Sequence, residues 1–452
     1  MERLYTCCAG LDVHKQTVVA CLLHPDDAPE RKEIRTFGTT TGALEELRDW
    51  LSAAGCTHVA MEATGVYWQP IYHVLEGHYE LLVVNAAHMH AVPGRKTDVR
   101  DAEWIADLLQ HGLLRASFIP SREQRELRDL TRTRTSLIDE RSAAVNRIQK
   151  VLEDANIKLA GVATDIMGKS GRDILAALVG GESDAAAMAD LARGKLRRKH
   201  EALEQALRGR MSDHHRMLIA LHLEHVDLLD EQIDRLSANI AERLRPYEAT
   251  LLRLETIPGV GRRTAEILAA EMGLDMTRFP SAGHLASWAG MCPGVHESAG
   301  KRKSGKRREG NKALRRALTE AAHAAARTKK PGRTYLRGQY RRLVIRGGKK
   351  KAAVAVGHTI LRIAHYLLSH DTTYQEQELV YLDERRRART QQRALDQLKA
   401  LGYDVALTPK VPAAWPQGRF SGEMSILWRR RCVRGGATGM MVPTVGRRVP
   451  LY

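Results

Sequence analysis

Up to Pro120 the apolar residues fall in short runs separated by turn-forming residues; beyond it they recur in steps of three and four. The first texture predicts strands over residues 5–12, 17–23, 32–37, 58–62 and 81–84, because short apolar runs bounded by polar turns suit a buried strand. Residues 44–51, 66–75 and 94–109 read as helices. A β-β-β-α-β-α-β-α order makes a mixed α/β sheet with helices packed on its faces. In the last of these helices Thr97 or Asp98 serves as cap, and Ile105, Leu108 and Leu109 mark the buried side.

The second texture gives two long series. Leu127, Leu130, Arg134, Leu137, Arg141, Ala144, Ile148 and Val151 form one; Ile219, His222, Val226, Leu229, Ile233, Leu236 and Ile240 form the other. Both read as seams of a helical coiled-coil connector, packed antiparallel or between subunits, although Arg134, Arg141 and His222 interrupt them. Residues 161–194, rich in alanine and glycine, follow neither period. Arg122, Arg125, Arg128, Arg132, Arg134, Arg141 and Arg147 line the first helix, as a solvated face or as contacts to a nucleic-acid backbone.

From Thr256 the order apolar, Pro258, Gly259, apolar, Gly261, then helix is that of a helix-hairpin-helix element. Its glycines permit a tight turn, and the amides at the following helix start can meet a phosphate. A short helix over 281–290 and a final apolar helix over 354–368 complete an α-rich C-terminal domain. After Asp371 the chain is charged, with a helix to about Leu401, and from Pro412 it reads as poorly ordered. The expected division is 1–118, 119–245, 246–372 and a basic tail over 373–452.

Charge sharpens this picture. The 452 residues carry a formal charge of +18 with a pI of about 9.8, which suits a polyanionic partner. Residues 301–350 hold 19 Lys and Arg against 2 Asp and Glu, so most of the excess lies in this one stretch. No signal peptide is evident, and no uninterrupted apolar run is long enough to span a bilayer. The six cysteines include no C-x-x-C pair, which argues for reduced thiols and against a disulfide framework or zinc ribbon. His88/His90, His214/His215 and His222/His225 lack nearby cysteines and read as surface or packing residues.

In an open α/β sheet, chemistry gathers where strands end. Asp12 and Glu62 close two predicted strands, while Asp98 and Asp101 stand three apart on one face of a helix that can cover those ends. Four converging carboxylates suit hard divalent cations such as Mg2+. A metal pair can activate an attacking oxygen and stabilise a leaving one in phosphodiester chemistry. Together the four acids signal a ribonuclease-H-like metal site.

Gly10-Leu11-Asp12-Val13-His14-Lys15, Met61-Glu62-Ala63-Thr64-Gly65 and Lys96-Thr97-Asp98-Val99-Arg100-Asp101-Ala102 resemble the signature of the insertion sequence 110/116/902 transposase family. The N-terminal domain of that family resembles RuvC-type junction resolvases. The resemblance runs to about residue 370. It implies an RNase-H-like (RuvC-like) catalytic domain whose metal ligands are Asp12, Glu62, Asp98 and Asp101, and a C-terminal domain with a nucleophilic serine at Ser298. Ala299 stands where many relatives carry glycine, which leaves Ser304 as the rival nucleophile. DNA contacts fall to Pro258, Gly259, Gly261, Arg262, Thr264, Lys301, Arg302, Lys303 and Lys306; RNA contacts stay unassigned. Also implied are donor and target DNA, a structured noncoding guide RNA, a homo-oligomer (a dimer or dimer of dimers) and a place at the bacterial nucleoid in the cytoplasm. The competing readings are a hydrolytic junction nuclease and a noncatalytic nucleic-acid scaffold.

Overall fold

Residues Cys8–Val13 (β1), Thr17–Leu23 (β2), Lys32–Gly38 (β3), His58–Glu62 (β4) and Glu80–Val84 (β5) form one sheet of order β3-β2-β1-β4-β5. In this computed structural model residues 3–25, 32–85, 98–292, 296–298, 301–304, 310–328, 334–376, 396 and 398 are described. All but the last two belong to one compact unit, residues 1–378; in the second unit, residues 379–452, Asp396 and Leu398 are helical. β1 pairs antiparallel with β2 and parallel with β4; β2 and β3 are antiparallel, β4 and β5 parallel.

Alternation along β1 and β4 divides the apolar residues between two faces. Leu11, Val59 and Met61 pack with Leu44, Leu47, Ile71 and Leu75 from α1 (Thr41–Ala53) and α2 (Trp68–Leu75). Cys8 and Ala60 pack on the opposite face with Ala102, Ile105, Ala106 and Leu109 of α3 (Asp98–Gln110). Complete burial of Ile105 and Leu109 holds α3 to the sheet, at about 1.5–3 kcal/mol per side chain.

The connector consists of α4 (Arg122–Asp154) and, after α5 (Leu159–Val162), α6 (Lys169–Val179), α7 (Ala185–Asp190) and α8 (His200–Leu207), the returning helix α9 (Asp213–Leu244). Ser121 caps α4 by accepting from the Gln124 amide, and Ser212 forms a capping box with His215. Three cross-helix pairs fix an antiparallel arrangement within one chain: Glu126 with Arg243 at 2.9 Å, Arg141 with Asp230, and Asp154 with His215 at 3.0 Å. The stretch 161–194, unreadable from periodicity, supplies α6 and α7, whose Ile174, Leu175 and Met188 share a core with Ile148, Leu152 and Ile219.

The C-terminal part comprises α10 (Glu248–Glu255), α11 (Arg262–Met272), α12 (Ala282–Trp288), α13 (Lys312–Arg327) and α14 (Tyr335–His370). Between α12 and α13, β6 (His296–Ser298) and β7 (Lys301–Ser304) make a two-stranded antiparallel ribbon. The expected final helix starts earlier than its apolar run, at Tyr335, and breaks at Gly348, whose φ is +81°. By length and hydropathy α14 alone among the described helices passes as a candidate membrane span. Its Val356, Ile360, Leu361, Ala364 and Leu367 nevertheless build the C-terminal core.

Candidate active site

β1 carries Cys8, Gly10 and Asp12 on the face covered by α3, because side chains two apart share a face. Asp12 is 7% exposed. Leu11 pairs with Met61 in the parallel register, so the next step sets Asp12 beside Glu62 on the neighbouring strand, about 4.8 Å away by ordinary strand spacing. Glu62 follows Ala60 by two residues and shares its face. The two acids therefore stand near the ends of adjacent strands, Asp12 one residue before the end of β1 and Glu62 at the end of β4, on the side where α3 lies.

α3 runs antiparallel to β1. The Leu4 amide donates to the Gln110 carbonyl at 2.8 Å, and the Cys8 thiol to the Ala106 carbonyl at 3.9 Å. Further along, a Cβ on Gly10 would overlap the Ala102 carbonyl and the Ala106 amide. Climbing α3 by one turn, ~5.4 Å, matches roughly two strand residues, so the helix start bearing Asp98 and Asp101 overlies the Asp12 end of β1. Asp101 is half-buried there; the Asp98 side chain lies outside the described residues. His14 reaches back over the β1–β2 turn, with Nε2 3.1 Å from Asp12 Oδ2. Among the described residues no three His, Cys, Asp or Glu side chains converge closely enough to form a ligand group. The donor chemistry of paired strand-end carboxylates still fits a hard divalent cation.

Ser298 sits at the end of β6, opposite Lys301 of β7. Within the basic stretch this segment thus has a ladder of its own; Arg302, Lys303 and Ser304 continue β7, and Lys306 lies outside the described residues. The ribbon's segment is pinched where it meets the C-terminal core, since a Cβ on Gly310 would overlap the Gly290 amide. Asn311 follows and caps α13, accepting from the Leu314 amide at 2.9 Å while its own amide group donates to Glu271 at 2.6 Å.

Glu271 is fully buried and also receives Arg132, at 2.7 and 2.8 Å, and Arg128. A buried carboxylate is tolerable only when charged donors surround it. This accounts for five of the seven arginines read along α4, which brace the fold internally: Arg125 binds Glu76, Arg128 and Arg132 bind Glu271, Arg134 binds Glu266 and Arg141 binds Asp230, while Arg122 and Arg147 are exposed.

In the turn between α10 and α11, Gly259 has φ +92° and lies against α13, where a Cβ would overlap the Ala321 carbonyl. Gly261 is exposed, has nothing within 4 Å of a built Cβ, and begins α11 without a side-chain cap. Pro258 and Thr264 are half-buried. Arg262 is committed internally, to Glu248 through two bonds of 2.6 Å and to Glu266 at 3.0 Å. The Glu248 hydrogen bonds raise its already high pKa further. Sequence reading quoted Gly10 and His14 within its first motif without giving either a role, and missed Glu271. The glycine was detectable, two residues before Asp12 on the same strand face; Glu271 was not, because its partners come from α4 and from Asn311.

Comparison with known proteins agrees with both regions. A family model described as transposase matches residues 9–157, and one described as transposase IS116/IS110/IS902 family matches residues 251–337. A probable family 20 transposase of Pseudomonas aeruginosa is 26% identical over 336 residues, 73% of this chain and 89% of its own. The pilin gene-inverting protein of Moraxella bovis is 26% identical over 64% of this chain and 73% of its own. A transposase for insertion sequence element IS1328 of Yersinia enterocolitica is 25% identical over 61% and 73%.

Proposed function

From a chain that belongs to the IS116/IS110/IS902 family of transposases, enzymes of DNA strand transfer, we propose a transposase that joins strands through a phosphoserine at Ser298. The observation that supports this reading is the parallel register of β1 with β4, which runs to Leu11 and Met61, one residue before Asp12 and Glu62, beneath the start of α3. Asp12, Glu62, Asp98 and Asp101 would hold a divalent cation, Mg2+ in the cell. Such a cation supplies charge neutralisation and polarisation of a phosphodiester oxygen. The sheet order supports an RNase-H-like domain over 1–118, followed by the connector over 119–245 and the serine-bearing domain over 246–372.

The Ser298 hydroxyl attacks phosphorus as its proton passes to a base; the Oγ–P bond forms, the P–O bond to one deoxyribose breaks, and the released oxygen takes a proton. Bond energy is kept for rejoining. Lys301, Arg302 and Lys303 on the paired strand offset phosphate charge. The turn at Pro258–Gly261 serves as a helix-hairpin-helix, whose uncapped α11 amides meet a DNA phosphate without reading sequence. A structured noncoding guide RNA that pairs with donor and target belongs to this reading without residues assigned to it, as does a homo-oligomer.

The test is a denaturing gel with peptide mapping of trapped protein–DNA adduct. Wild type should give DNA attached to Ser298. Ser298→Ala should retain DNA binding and lose adduct and product. Asp12→Asn and Glu62→Gln should do the same, and should lose any thermal shift given by Mg2+. Attachment at Ser304 overturns the nucleophile; efficient cleavage without adduct favours hydrolysis.

A further inference from the structure

α4, α11 and α13 enclose a cleft of about 370 Å3 with a strong bias of charge. Its walls carry Arg132, Arg134, Arg263, Lys312 and Arg316 against two carboxylates, Glu271 and Glu320. Three of the cations are committed: Arg132 to Glu271, Arg134 to Glu266 and Arg316 to Asp139 and Glu320. Arg263 on α11 and Lys312 on α13 are exposed and make no ion pair with the described residues. Arg134 is 2% exposed, and its Nη2 has no hydrogen-bond partner.

We propose that this cleft is a binding site for the phosphodiester backbone of a nucleic-acid strand, with Arg263 of α11 and Lys312 of α13 as the contacting cations. Its volume lies in the range of small-ligand clefts, and the hydroxyl of Thr264 lines it beside apolar Ile138, Ile267 and Ala317. The cleft opens at the start of α11, where the helix dipole is positive and Gly261 leaves the first amides without a side-chain cap. Two like-signed cations lining one cleft repel until an anion enters, so the arrangement favours a bound phosphate. Lys312 directly follows Asn311, which closes the ribbon segment, so a strand seated here lies next to the point where that segment joins the core. The assignment rests on the nucleic-acid reading above for its class of ligand.

The full-length chain is titrated with fluorescein-labelled single-stranded DNA, duplex DNA and single-stranded RNA of one mixed sequence, at several salt concentrations. Arg263→Gln with Lys312→Gln should weaken binding about tenfold. It should also flatten the salt dependence by about 1–2 in log–log slope, as each lost phosphate contact removes roughly 0.7–0.9. The nucleic acid whose slope changes identifies the source of the backbone. Arg197→Gln with Arg198→Gln removes equal charge from the exposed turn that leads into α8, outside the cleft lining, and should leave the slope unchanged. An unchanged slope for the cleft variant with all three nucleic acids overturns the site, as does an equal change in the turn variant. Adduct formation at Ser298 in the wild type is scored separately, so loss of this site and loss of the serine mechanism are told apart.

Discussion

Gly10 of β1 lies so close beneath Ala106 of α3 that a Cβ on the glycine would stand 3.0 Å from the Ala106 Cα and overlap the amide nitrogen. The helix that brings Asp98 and Asp101 to the sheet can approach only because one side chain is missing. Gly10→Ala should cost about 1–3 kcal/mol through overpacking and should abolish most cleavage with every acid intact. Gly42→Ala, at an open position of α1, should be neutral or slightly stabilising. Urea unfolding and a cleavage assay read both; normal cleavage by Gly10→Ala would show that the close approach does not matter.

Arg125 and Glu76 join the sheet to the connector through bonds of 3.0 and 2.6 Å. The Arg125 hydrogen bonds hold the Glu76 carboxyl below its ordinary range. A lowered folded value means the pair stabilises above the unfolded pKa, near 4.3, and loses that contribution as pH falls through the folded value. The pair is partly exposed, so its worth at neutral pH is about 1 kcal/mol. Glu76→Gln should therefore lower stability at pH 7 and flatten its fall below pH 5. Parallel wild-type and variant curves of melting temperature against pH would contradict this.

Glu271→Ala should be among the most damaging single changes outside the acid site. It leaves Arg128 and Arg132 facing a buried position and frees Asn311, with an expected loss of about 3–5 kcal/mol. Replacing all three charged residues, Arg128→Met, Arg132→Met and Glu271→Leu, should recover much of the stability. Chemical denaturation decides; a triple variant no better than Glu271→Ala would mean the loss is one of shape.

The two glycines of the turn between α10 and α11 should separate cleanly. Gly259→Ala must push α13 away and adopt a φ that alanine avoids, so its melting temperature should fall. Gly261→Asp meets nothing and adds a favoured cap to α11, a gain of about 0.5–1 kcal/mol. The same carboxylate repels phosphate, so DNA binding should weaken equally across unrelated sequences. Unimpaired binding by this stabilised variant would remove α11 from the DNA interface.

β1, β2 and β4 were legible because strands buried on both faces leave apolar runs, and Asp12 and Glu62 because they interrupt those runs near their ends. The connector seams were legible in their period and incomplete in their content. Arg134 fills a seam position by pairing with Glu266, and Thr131 and Leu152, outside the heptad series, are buried as well. What the sequence hid was pairing across long separations. Nothing local to Arg128 names Glu271, and a surface row of arginines has the same composition as a row of internal braces. β6 and β7 were obscured because lysine and arginine show no apolar alternation.

The antiparallel return of α9 along α4 has an architectural consequence. Leu127, Ile240 and Leu244 at the near end belong to the C-terminal core, while α5–α8 crown the far end as a spur with a core of its own. Removing one matched turn from both helices would draw the crown in by about 5.4 Å and leave the Glu126–Arg243 junction in place. Reach and catalytic alignment are therefore separate dimensions of this chain, and the spur can be lengthened or trimmed as a telescoping arm without asking the strand ends or the serine ribbon to move.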